Sequence, residues 1–122
     1  MWLSFFRRKA KKISHPPSMQ FLLKEIHERK ERVKKYYQEN KIELSKINYQ
    51  KILEKYKILL YKQEEYYMLE YIQTLLLGAE YFKEKKLLKE AKKLLKAYDD
   101  PQVAYLEEKI KFLEKKFKSL KI

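Results

Sequence analysis

The stretch from Ile42 to Pro101 constrains the fold more than any other part of this chain. No proline falls inside it before Pro101, and it holds the protein's single glycine. Apolar residues recur every three or four positions: Ile52, Leu53, Tyr56, Leu59, Leu60, Tyr67, Tyr71, Leu75, Gly78, Phe82. That is the period of a helix with one face turned to a core. Strands would need alternating patterns and frequent turn residues, which three prolines and one glycine do not supply. The chain is 45% hydrophobic and 39% charged. Disordered chains are too poor in apolar residues to match that balance, and Lys, Glu and Leu at helical period mark helical bundles. The expected class is all-α: an antiparallel helical bundle or a short helical-hairpin array of about five helices, with an amphipathic N-terminal segment.

Boundaries follow from the breakers. Ser14-His15-Pro16-Pro17 separates a segment at 1–13 from a helical domain at 18–122, with 14–17 as the linker. Ser18 is the expected cap of a helix over 18–39, with Met19, Leu22, Leu23, Ile26, Val33 and Tyr37 inward. Asn40-Lys41-Ile42-Glu43 has the form of a capping box and opens the next helix. Unbroken to Glu84, that helix would exceed about 60 Å, so either the molecule is elongated or the helix breaks, with Lys62-Gln63-Glu64-Glu65 the expected place of a break. Further helices are expected at about 65–83 and 86–98. Asp99-Asp100-Pro101 then starts a last helix, with an Asp cap and Pro at the first position. Along it Val103, Leu106, Ile110, Leu113, Phe117 and Leu120 form a heptad seam. A homodimer through Val103–Leu120 is one expectation. Tyr105 and Phe112 widen the stripe, which suits a groove in the chain's own bundle instead.

Tyr71 to Pro101, about a quarter of the chain, carries a resemblance. Leu77-Gly78, Tyr81, Ala91, Leu94, Ala97 and Pro101 resemble a tetratricopeptide repeat. Thr74 stands where that family favours Trp, Ala91 comes one residue late and Pro101 one early. The resemblance implies two close-packed helices and a protein-docking role.

Net charge is +13 but uneven: residues 1–35 carry 11 basic against 3 acidic side chains, 36–70 carry 6 against 6, and 71–122 carry 13 against 8. Positive ends around a neutral middle attract polyanions. The expected contacts with nucleic acid or an acidic partner are Arg7, Arg8, Lys9, Lys11 and Lys12, then Lys85, Lys86, Lys89, Lys92, Lys93 and Lys96. Only four of the 30 basic residues are Arg, and base edges are read mainly by Arg, so any nucleic-acid contact is expected to be backbone-directed. Trp2, Leu3, Phe5 and Phe6 face away from Arg7, Arg8, Lys11 and Lys12 on a helical wheel, as an anchor to a membrane surface or a partner would. Tyr66, Tyr67, Tyr71 and Tyr81 are the expected lining of a protein-binding groove.

Catalytic chemistry is not expected. The two aspartates are adjacent and serve a cap, there is no cysteine, and one glycine cannot build a phosphate-binding loop. No ExxH pair provides for a di-metal bundle. No cofactor is expected, and an intracellular location is favoured, with membrane association an open alternative. Three readings stay open: a non-catalytic docking or scaffold subunit of a larger assembly that touches nucleic acid through a Lys-rich face, a tetratricopeptide-like adaptor for a protein helix or acidic peptide, and a peripheral membrane protein anchored by residues 1–13.

Overall fold

The computed structural model describes residues 17–98 and 100–120, less the side chains of residues 17, 18, 63–66 and 102. It is all-α. Among the described residues four helices follow in order: α1 Pro17–Gln38, α2 Ile42–Phe82, α3 Lys85–Leu95 and α4 Pro101–Ser119. The amphipathic segment at 1–13 lies outside the described residues.

The described residues divide into two compact units, one of residues 17–67 and one of residues 68–98 with 100–120. The first unit is an antiparallel hairpin of α1 and the first part of α2. Its direction is fixed by cross-helix pairs: Val33 meets Ser45, Arg29 meets Asn48, and Glu25 meets Lys55. Met19, Ile26 and Val33 supply the α1 side of the core at a spacing of seven, and Tyr49, Ile52, Tyr56 and Leu59 the α2 side. Ser45 is fully buried, and its Oγ donates to the Val33 carbonyl oxygen at 2.8 Å. A small side chain here lets the two backbones approach, and the hydroxyl needs that acceptor because no water reaches it.

The turn between α1 and α2 differs from expectation. Asn40 sits at φ 63°, in the left-handed region. The Lys41 N–H donates to the Tyr36 carbonyl at 2.7 Å and the Asn40 N–H to the Tyr37 carbonyl at 3.1 Å. Those two bonds are a Schellman closure of α1. Asn40 therefore ends α1 and does not cap α2. Lys41 takes the cap position, with its carbonyl accepting from the Ser45 N–H at 3.1 Å. Asn tolerates left-handed φ better than other non-glycine residues, which is why it, and not the chain's glycine, makes this turn.

The break expected at 62–65 is absent, and α2 is a single helix through those positions. No proline or glycine interrupts them, and Lys, Gln and Glu are good helix formers. The expected second and third helices are one element.

The second unit combines the end of α2 with α3 and α4. From Met68 to Ala79 most of α2 is buried, including Leu69, Ile72, Thr74, Leu75 and Leu76, while Glu70 and Gln73 are exposed, as a helix with a wide apolar stripe and a narrow polar line requires. Phe82 ends it, and Lys83 (φ 56°) turns the chain while its ammonium donates to the Glu80 carbonyl at 2.9 Å. Leu87, Leu88, Ala91 and Leu95 form the buried face of α3. Pro101 opens α4 as expected. α4 runs antiparallel to α3, with Lys92 bound to Glu114, and reaches α2 through Lys109 and Glu80.

A candidate polyanion-binding face on α3 and α4

The eleven residues of α3 split cleanly into two faces. The apolar face packs inward. Lys85, Lys86, Lys89, Lys92, Lys93 and the capping Lys96 are all exposed. At 100° per residue the six fall within about 120° of the circumference. Lys92 pairs with Glu114 at 3.0 Å; the other five have no ion-pair partner among the described residues.

This arrangement works against the helix that carries it. Lys85 and Lys86 occupy the first turn, which contains no acid. The helix N-terminus is its positive end and disfavours cations. Lysines three and four apart repel. A solvated face needs neither feature, since Glu could alternate with Lys as it does on α4.

Beside this face, α3 and α4 enclose a groove of about 230 Å³. Leu95 and Ile110 form its floor, and Lys92, Lys96, Lys111, Glu107 and Glu114 its rim. Along α4, Lys111, Lys115 and Lys118 surround Phe112 on a shallow concave surface. Phe112 is 60% and Tyr105 62% exposed. They were expected to widen the inward stripe; they stand outside it, seven residues apart on one line of α4. The seam itself turns inward: Val103, Leu106, Ile110, Leu113 and Phe117 are buried, and Leu120 alone is exposed. Residues buried in their own chain cannot pair with a copy unless α4 detaches, so the expected homodimer through Val103–Leu120 has no free surface.

The tyrosines also differ from expectation. Tyr67 is fully buried and Tyr71 is 6% exposed. Burial, and secondarily the charge of Glu90, pushes the Tyr71 phenol above its usual range. Both belong to the core and not to the lining of an open groove, because they lie on the wide apolar stripe of α2, away from the exposed Glu70 and Gln73. Tyr81 is half-buried against the edge of Phe82, at 6.2 Å between rings. The Tyr66 side chain lies outside the described residues, as do Trp2, Leu3, Phe5, Phe6, Arg7, Arg8, Lys9, Lys11 and Lys12.

In the first unit the polar side chains between α1 and α2 bond to one another. Arg29 Nη1 donates to Asn48 Oδ1 at 3.0 Å and its Nε to Glu25 at 3.1 Å. Lys30 donates to the Tyr56 hydroxyl at 2.7 Å. The Arg29 hydrogen bond, with Lys55 nearby, holds the Glu25 carboxyl below its usual range. One of the few arginines is thus tied into the fold.

Among the residues of the tetratricopeptide resemblance, Gly78 and Ala91 are buried, Leu77, Tyr81 and Leu94 are half-buried, and Ala97 is exposed. Among the described residues no group of three or more His, Asp or Glu is placed to hold a metal ion. No described helix is long and apolar enough to cross a membrane. No protein-family model matches the chain, and no curated protein or solved structure matches it either.

Proposed function

We propose that the protein is a non-catalytic helical docking subunit that holds a polyanion, nucleic acid in the first instance, against the lysine face of α3. The observation that carries this reading is the set of six exposed lysines within one sector of an eleven-residue helix and its cap, five of them without an ion-pair partner among the described residues. A phosphate backbone supplies the anions that the fold does not. Lys acts as a point charge with no planar fork, so the contact follows the backbone and not the bases. Phe112 and Tyr105 are exposed on α4, aromatic faces of the kind on which unpaired bases stack.

The test is fluorescence anisotropy of labelled single-stranded and duplex oligonucleotides across a range of salt. Log Kd should change linearly with log salt, with a slope of about 0.9 per phosphate contacted on duplex and about 0.7 on single strands. A variant with Lys85, Lys86, Lys89, Lys93 and Lys96 changed to Gln should lose most of that slope. Affinity that ignores salt, or survives in that variant, refutes the reading. Preferential capture of an acidic peptide over nucleic acid would redirect it to a protein partner.

A further inference from the structure

α2 carries a second apolar line that its own hairpin does not use. Leu44, Ile47, Ile58 and Tyr61 are 45%, 48%, 43% and 92% exposed. Lys51 and Glu54, also exposed, fall on the same line, and neither has an ion-pair partner among the described residues. The six positions are spaced 3-4-3-4-3, a heptad seam. Its centre lies roughly 140° around the helix from the face that packs on α1.

The order of residues along this seam is self-complementary. Turn a second copy antiparallel about a two-fold axis between Lys51 and Glu54. Leu44 then meets Tyr61 of the copy, Ile47 meets Ile58, and Lys51 meets Glu54. Every apolar residue finds an apolar one and each charge its opposite. Each layer pairs an a position with a d position, as antiparallel seams require. In a parallel pair Lys51 would face Lys51 and Glu54 would face Glu54, so the two central charges select the antiparallel arrangement. An isologous contact of this kind closes on itself and needs no third copy.

We propose that this face of α2 is a homodimer interface, formed by two copies of the chain paired antiparallel over residues 44–61. The proposal is independent of the polyanion reading, since it uses none of the α3 residues. A seam of about 26 Å is short, so the dimer is weak and depends on concentration.

Sedimentation velocity on the full chain, from about 1 to about 300 µM, should show a reversible monomer–dimer equilibrium. Ile58→Glu should leave the helical circular dichroism intact and the protein monomeric. Lys51→Glu or Glu54→Lys alone places like charges in both central layers and should weaken dimerisation about tenfold. The double swap should restore it. The chain has no cysteine, so single substitutions report orientation. A short bis-maleimide should join copies at Lys51→Cys but not at Leu44→Cys, where the two sites lie about 26 Å apart. A monomer at every concentration, whose face is then covered by another occupant such as this chain's own N-terminal residues, overturns the proposal. So does a dimer indifferent to Ile58→Glu, a double swap that fails to restore, or cross-linking at Leu44→Cys.

Discussion

Replacing Lys89 by Gln should make the protein more stable and a poorer binder at the same time. Lys89 stands at the centre of the α3 array. It is four residues from Lys85 and Lys93 and three from Lys86 and Lys92. Each like-charge pair at these spacings destabilises a helix by roughly 0.2–0.5 kcal/mol. Four pairs vanish together in Lys89→Gln. Lys92 is already partly neutralised by Glu114 at 3.0 Å, so the gain is about 1 kcal/mol, not the full sum. Lys and Gln have nearly equal helix propensity, so nothing else changes along the exposed face. Urea denaturation at low salt should read this gain directly. At about 1 M salt, where the screening length is about 3 Å, it should vanish. The same variant should lose one phosphate contact, lowering the salt slope of duplex binding by about 0.9. Opposite signs for stability and binding are the signature of charges placed for a partner. Lower stability in Lys89→Gln, or unchanged binding, would show that the lysines serve the fold and would refute the reasoning.

Three further outcomes follow from the first unit. Ser45→Ala leaves the Val33 carbonyl without its 2.8 Å donor and should lower stability by about 1–2 kcal/mol in chemical denaturation. Asn40→Ala forces a Cβ-bearing residue without a polar side chain to keep φ 63° and should destabilise by about 1 kcal/mol, whereas Asn40→Gly should stay within about 0.5 kcal/mol of the parent. Arg29 and Lys55 depress the Glu25 carboxyl. Its contribution is therefore present above the unfolded carboxylate value near 4.3 and is lost as pH falls through the lower folded value. Glu25→Gln should flatten the acid limb of a stability–pH profile below about pH 4.5, and an unchanged limb would remove Glu25 from that role.

At high pH the sign reverses for Tyr71. Its phenol is held above the usual range by burial, so it stabilises the fold below about pH 10 and ceases to do so as pH rises through its folded value. Tyr71→Phe should soften alkaline unfolding monitored by circular dichroism.

Helix class, the start of α4 at Pro101 and the inward face of α3 were legible in the residues alone. Each depends on local rules: apolar period, proline's fixed φ and missing N–H, and the alternation of Leu with Lys. The lysine sector of α3 was equally legible, since the faces of a short helix follow from spacing. The Asn40 turn is not legible locally, because Asn followed by Glu three residues later suits both the end of one helix and the start of the next, and only the sign of φ separates them. The length of α2 is not legible locally either, because nothing marks a break or its absence where all residues are good helix formers.

The facing of individual apolar residues belongs to the tertiary structure. Val103–Phe117 and Leu44–Tyr61 are both heptad seams by spacing, yet the first is buried and the second exposed. Period says that a helix has an apolar line; it does not say what lies against it, because burial is non-directional and any apolar surface of fitting shape can supply it. Likewise Tyr67 and Tyr71 could have lined a groove or filled a core, and packing around α2 decided for the core. What this chain's residues determined by themselves is its helices and its charge; which faces were left for partners was decided only when those helices packed.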